Sequence, residues 1–331
     1  MNLCVTFALY YLTNTAERLY KTTNDYSEKV ARRREMQSNG IPMKENKKRM
    51  IKLNNLVAGY KAIRPVLSAL STQIERGNIY GLLGSNGVGK TTLLNTIAGV
   101  LDPLAGEVDV LGHTPSAHTR QFFEQIYYIT DEVELPAMSL NNYVACYAQF
   151  RSAFSKEQMM DYLERMNFTF GTQLNRLSLG NRKKFVIAYA LACNTPLLLM
   201  DEPTNGLDIE SKKQLRRILA SLDMSNRTII ISTHQIADLE QMLSHVMIIK
   251  AGEMIVSTSL DCVAQRLAFG QVGEFATPLY VDGLKAIAKN EGDYSNIDLE
   301  MLYLGALESA EVRAIINQPQ IATESGKESL C

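Results

Sequence analysis

The stretch Gly84-Ser85-Asn86-Gly87-Val88-Gly89-Lys90-Thr91 constrains this chain more than any other. The apolar run Ile79-Tyr80-Gly81-Leu82-Leu83 precedes it, and Thr92-Leu93-Leu94-Asn95-Thr96-Ile97-Ala98 follows with helical spacing. Strand, glycine-rich loop and helix in that order predict a phosphate-cradling loop. Glycine admits positive φ and close backbone approach, so successive N–H groups can point at phosphate oxygens. Lys90 can place an ammonium on the outer phosphates, and the Thr91 hydroxyl can ligate Mg2+. The helix entered at Thr92 adds its positive end beneath the anion. A flexible turn with a surface lysine would not need such flanks. The chain is expected to bind a nucleoside triphosphate.

The 331 residues allow one large domain or two ordinary ones. With 46% hydrophobic and 21% charged residues, the chain can bury a sizeable core. Its 34 Lys+Arg balance 35 Asp+Glu, which leaves no general charge argument for nucleic acid as a partner. Residues 1–50 nonetheless carry a net charge of +5. The five cysteines (4, 146, 193, 262 and 331) are an odd, scattered set with no C-x-x-C pair. That pattern fits free thiols in a reducing compartment. No apolar run approaches the roughly 20 residues of a membrane-spanning helix, so any membrane role is expected to run through a partner.

Residues 3–12 form a short apolar run without a basic region before it or a small-residue cleavage site after it, unlike a signal peptide. Arg32-Arg33-Arg34 and Lys47-Lys48-Arg49 follow in a polar setting. They can belong to a basic segment resting on anionic lipid or to a poorly ordered tail. The tail is the blander reading and is carried forward for residues 1–50.

Ile51 to Leu56 alternates like a half-buried strand, and strand-like stretches recur from Pro65 to Ile74 and from Gly106 to Gly112. Tyr60 can stack on a base or pack on its own sheet, and residue type alone favours packing. Residues 118–128 have helical composition and run into the β-type Ile126-Tyr127-Tyr128-Ile129. Asp131, at that strand's exit, can reach a metal beside a nucleotide or sit in an ordinary acidic loop. Residues 139–166 are helical in pattern, with Met159, Met160, Leu163 and Met166 as a core-facing stripe.

Leu177-Ser178-Leu179-Gly180-Asn181 precedes an amphipathic helix. Ser178 reads as its N-cap, and Gly180 and Asn181 leave backbone N–H groups open to an anion. Leu197-Leu198-Leu199-Met200 suits a strand buried on both faces, and it ends in Asp201-Glu202-Pro203. Carboxylates there are costly without a cation, for which Mg2+ is the natural candidate. Asp201 can hold the metal, and Glu202 can orient and deprotonate an attacking water. Thr228 to Thr233 gives a further buried strand, with His234 at its end. A lone histidine is more often structural. If the strands are parallel, however, His234 leaves the same sheet edge as the phosphate loop and the carboxylates, where ligands of open α/β sheets collect.

Together these motifs resemble the nucleotide-binding subunit of ABC transporters over roughly residues 51–260. Gly84 to Thr91 matches the family's Walker A motif, and Leu197 to Glu202 matches Walker B with its catalytic glutamate. Leu177 to Asn181 falls on the signature loop, Gly206-Leu207-Asp208 on the D-loop and His234 on the switch histidine. Tyr60 falls where the family stacks an aromatic on adenine. There are two departures. The signature reads Leu-Ser-Leu-Gly-Asn, and Asp131 stands where the family has the Q-loop glutamine.

The resemblance implies an α/β P-loop NTPase of ABC-ATPase type. Its mixed-sheet core would carry an antiparallel β subdomain and a helical subdomain at about residues 115–185. A C-terminal extension, residues 261–331, would hold a short helix at Ile297 to Leu304 and a frayed tail from Asn317. The resemblance also implies ATP and Mg2+ as ligands, and hydrolysis by Lys90, Glu202 and His234. Ser178, Gly180, Asn181 and Asp208 would face the ATP of a second nucleotide-binding subunit, either an identical copy or a close paralogue. A separate transmembrane permease, docked near residues 131–150 at the cytoplasmic face of the membrane, would use the cycle for export. A soluble ABC protein acting on ribosomes or DNA is the rival reading. Against it, the chain has one phosphate loop, and no heptad run separates Lys90 from Ser178.

Overall fold

Runs of consecutive large apolar residues need cover on both sides, and the chain supplies it by stacking layers on one parallel sheet. The computed structural model describes residues 49–318 except 62, 237–239 and 293–295. The basic extension therefore lies outside the described residues up to position 48, as does the C-terminal tail beyond 318.

The chain opens with β1 (Arg49–Ala58), β2 (Leu67–Glu75), β3 (Ile79–Leu83), α1 (Lys90–Ile97) and β4 (Ala105–Val110). It continues through α2 (Arg120–Gln125), β5 (Ile126–Ile129), α3 (Leu140–Tyr147), α4 (Lys156–Arg165), α5 (Leu179–Ala192) and β6 (Leu197–Asp201). Then come α6 (Ile209–Ala220), β7 (Thr228–Thr233), β8 (His245–Lys250), β9 (Glu253–Ser259) and α7 (Leu260–Arg266). The last elements are β10 (Leu267–Gln271), β11 (Tyr280–Asp282), β12 (Lys285–Lys289), α8 (Leu299–Glu308) and α9 (Ala310–Ile316).

The central sheet has the order β5-β6-β7-β3-β8-β9, parallel except for β9 at its edge. Every residue of β3, β6 and β7 is buried. Parallel pairing brings the strands' C-terminal ends to one edge, with Leu83 opposite Thr233 and Asp201 opposite Ser232. The phosphate loop, the carboxylates and His234 all leave from there. That parallel arrangement is the condition on which His234 was expected to join the site.

Alternation along the strands splits the core in two. Tyr80, Leu82, Leu197 and Leu199 face α1 and the antiparallel sheet β2-β1-β4. Ile79, Leu83, Leu198 and Met200 face the cluster built by α4, α5 and α6. The expected mixed core, antiparallel sheet and helical segment are all present. Residues 139–166 are two helices rather than one, because Ser155 restarts the helix as an N-cap accepting from the Gln158 N–H. Met159, Leu163 and Met166 are buried as expected, but Met160 turns outward.

Past residue 260 the structure holds more than the single helix read from the sequence. A three-stranded antiparallel sheet, β10-β12-β11, packs its buried Ala286, Ile287 and Ala288 against α8, with α9 alongside. Helix α8 lies this close to β12 because Gly305 lacks a side chain, since a Cβ there would stand 2.6 Å from Ile287 Cδ1.

Candidate active site

The phosphate loop is shaped by what a side chain would strike. Gly89 has φ +114°, and a Cβ there would meet Leu67 Cδ2 at 2.5 Å. It is also the residue before α1, so the helix's uncovered N–H groups open onto the loop. Lys90 is buried, and its ammonium lies across the loop mouth. It donates to the carbonyls of Gly84 (2.7 Å) and Ser85 (3.2 Å) and sits 3.6 Å from Glu202 Oε1.

Asp201 ends β6 almost wholly out of water. Its carboxylate accepts the Thr91 hydroxyl at 2.7 Å and a very short hydrogen bond from Ser232, its neighbour across β7. Burial pushes its carboxyl above the ordinary range, the two hydrogen bonds pull the other way, and the charges of Glu202 and Asp131 push up again. Tyr128 lies opposite Leu199, two residues before Asp201 and so on the same sheet face. Its hydroxyl is buried and has no hydrogen-bond partner among the described residues. Burial and then the Asp201 charge push its phenol far up. A carboxylate, two hydroxyls and an unpartnered phenol form an all-oxygen donor set that fits a hard cation such as Mg2+. Among the described residues no cluster of three or more His, Cys, Asp or Glu could hold a metal alone. The donor set therefore suits an ion completed by phosphate oxygens and water.

Glu202 is left-handed, with φ +47°, a costly conformation for a residue with a Cβ. Its N–H donates to the carbonyl (3.2 Å) and hydroxyl (3.1 Å) of Ser232, and its carbonyl accepts from Lys183 at 3.0 Å. Turned this way, the carboxylate meets His234 Nδ1 at 2.9 Å and accepts weakly from the His234 N–H at 3.4 Å. Glu202 is buried, whereas the His234 side chain is 37% exposed. The pair thus faces solvent from one side only.

A family profile described as ABC transporter matches residues 67–205. The bacitracin transport ATP-binding protein BcrA of Bacillus licheniformis is 31% identical over 224 residues, covering 66% of this chain and 72% of that one. The chain belongs to the ABC transporter ATP-binding proteins. It is an ATPase of that family. The Nod factor export ATP-binding protein I of Rhizobium etli is 31% identical over 199 residues, or 58% of this chain and 63% of that one. Among solved structures, a dimeric ATP-binding cassette in a post-hydrolysis state, bound to ADP and Pi, superposes with a TM-score of 0.56 at 25% identity. That likeness covers 64% of this chain and 99% of the cassette.

In this ABC ATPase a pocket of about 330 Å³ opens at the sheet edge, lined among others by Tyr60, Asn86, Gly87, Gly89, Lys90, Thr91 and Thr92, with Asp131 and Glu202. Ser85 stands exposed in the loop, while Val88 packs against the core. Tyr60 is 64% exposed and its hydroxyl accepts from Asn95 at 3.0 Å, which holds the ring at the rim. The Asp131 carboxylate lines this pocket and accepts from Lys183 at 3.0 Å and Asn205 at 3.3 Å. A larger cleft beside β1 and β4, lined by Arg49, Lys52 and Arg76, contains none of these motifs.

The signature and D-loop residues lie elsewhere. Ser178 caps α5 by accepting from the Asn181 N–H, and Asn181 Oδ1 accepts from the Thr169 N–H, both at 3.4 Å. Gly180 is packed so that a Cβ would stand 2.9 Å from the Gly206 carbonyl. Asp208 caps α6 through the Ser211 N–H at 2.7 Å and lies 3.5 Å from Lys184. The Ser211 hydrogen bond holds the Asp208 carboxyl below its usual range. None of Ser178, Gly180, Asn181 and Asp208 lines the chain's own pocket.

Lys183, Tyr128 and Ser232 reach the site although local sequence pattern points to none of them as site residues. Ser232 comes beside Asp201 only through the pairing of β6 with β7, which is non-local. Lys183, a lysine on the buried run of α5, carried a signal of burial alone.

Proposed function

We propose that this ATPase is the cytoplasmic, peripheral subunit of an exporter, closing as a head-to-tail dimer around two ATP molecules. The observation that carries the reading is the division of the motif residues. Lys90, Thr91, Asp201, Glu202 and His234 converge at one pocket, while Ser178 and Gly180 cap a helix outside it. The second group is therefore available to the γ-phosphate held by another copy.

In each half-site, Lys90 leaves its carbonyl partners for the outer phosphates, and Tyr60 covers the base. Thr91 and Asp201 hold Mg2+, which supplies charge neutralisation at the phosphates. Glu202 takes the proton from water at its carboxylate, and His234 holds that carboxylate in place through Oε1. Loss of the γ-phosphate removes what the partner's signature helix binds, so the dimer opens. The region around residues 131–150 transmits that motion to a membrane-spanning permease. No helix among the described residues is long and apolar enough to cross a membrane, and the reading assigns the membrane-spanning part to the permease. The direction, export, rests on the name of the Rhizobium relative.

The test is affinity purification of the full chain from membranes of its native host, with Glu202→Gln to hold the dimer closed. A multi-span membrane protein should co-purify. Recovery with ribosomes or DNA and no membrane protein would overturn the reading.

A further inference from the structure

We infer that Lys183 is the positioning residue that fixes the main chain of Glu202, with Asp131 as its counter-ion. The inference rests on the reading of Glu202 as general base. Lys183 belongs to α5, yet its side chain is only 1% exposed and its ammonium points toward the end of β6. There it donates to the Glu202 carbonyl and to Asp131 Oδ1, each at 3.0 Å.

The Glu202 backbone is thus held at both ends, its N–H by Ser232 and its C=O by Lys183. Such clamping answers the left-handed φ of +47°, which persists only where the surroundings over-determine it. In that conformation the carboxylate reaches both Lys90 and His234. A relaxed Glu202 would aim elsewhere.

A buried ammonium needs a compensating charge. Asp131 provides it from a half-exposed position, steadied by Asn205 at 3.3 Å. The pairing also answers a problem of sign. Asp131 adds a third carboxylate to a region that already holds Asp201 and Glu202, and its charge acts on Asp201. Lys183 balances that extra charge. The ammonium that holds the Glu202 carbonyl and the carboxylate that compensates it therefore act as one ion pair.

The experiment compares single-turnover and steady-state hydrolysis with binding of a fluorescent trinitrophenyl-ATP. Lys183→Met should lower kcat by about 10²-fold while the analogue's Kd stays within about threefold, because the phosphate loop is untouched. In a Glu202→Gln background, adding Lys183→Met should cost no more than about twofold further, since Lys183 acts through Glu202. The neutral pair Lys183→Gln/Asp131→Asn should recover kcat to within about fivefold of the parent, because Gln still donates to the carbonyl and no charge is stranded.

A Lys183→Met enzyme within threefold of the parent kcat would overturn the inference, as would multiplicative losses in the Glu202→Gln background. If Lys183→Met does not fold, the neutral pair decides. Folded and active supports the role, and folded with normal nucleotide affinity but no turnover sinks it. Normal turnover in Glu202→Gln alone would instead remove the reading of Glu202 as base.

Discussion

Thr91 and Asp201, 110 residues apart in sequence, meet through one hydrogen bond of 2.7 Å at the mouth of the phosphate loop. Burial of the Asp201 carboxylate costs stability, and the hydrogen bonds from Thr91 and Ser232 offset that cost only in part. Folding raises the proton affinity of Asp201 above that of the unfolded chain. Its ionisation is therefore a penalty that grows as pH rises through the raised value and vanishes below the ordinary carboxylate range. Asp201→Asn should raise the melting temperature of the nucleotide-free protein at neutral pH, by more than it does near the ordinary carboxylate range. The same variant should lose the extra stabilisation that Mg2+ adds to ATP. Thermal melts with ATP plus Mg2+ and with ATP plus chelator would show both effects, and an unstable nucleotide-free variant would contradict the first.

His234 approaches Glu202 at 2.9 Å from the half-open side of the site, while Lys90 approaches from the buried side. The histidine therefore steers a carboxylate that is already held, and it does not contact the Walker A loop in the structure. His234→Ala is expected to reduce kcat by roughly 10²-fold, comparable to losing one preorganised donor, with ATP affinity nearly unchanged. A loss confined to KM would assign His234 to nucleotide binding instead.

Gly180 tests the proposed dimer separately from the pocket. A methyl group there would stand 2.9 Å from the Gly206 carbonyl, so the turn carrying Leu207 and Asp208 must shift. Gly180→Ala should cost about 1–3 kcal/mol of stability, as overpacking generally does. Monomer binding of ATP should persist. ATP-induced dimerisation of the Glu202→Gln protein, followed by light scattering, should be lost.

What the sequence disclosed and what it withheld follow from how local each signal is. Gly84 to Thr91 and Leu197 to Glu202 were legible because a strand, a turn and a charged exit are contiguous in the chain. The parallel pairing that brings His234 beside Glu202 had to be assumed, since strand order is set by non-local contacts. Asp131 shows the limit most clearly. Its type and place suggested a metal ligand, but its partner Lys183 lies 52 residues away on a different element. The small sheet after residue 266 escaped for another reason: β11 has three residues, too few for any alternation to register.

Tyr128 offers the sharpest test of where the cation sits. Its phenol is shut away from water beside a carboxylate and has no hydrogen-bond partner among the described residues. An unpaired buried hydroxyl costs about 1–3 kcal/mol, so a site that keeps one is expected to use it when loaded. Tyr128→Phe removes the unpaired group and preserves the ring that packs in the core. It should leave the nucleotide-free protein as stable as the parent, or more stable by about 1 kcal/mol. It should also shrink the additional stabilisation by Mg2+ in the presence of ATP. Because Tyr128 and Asp201 share a sheet face, the two effects should not add: Tyr128→Phe in an Asp201→Asn background should change the Mg2+ increment no further. Additive losses in the double variant would place the phenol outside the cation's surroundings and leave its burial a matter of packing alone.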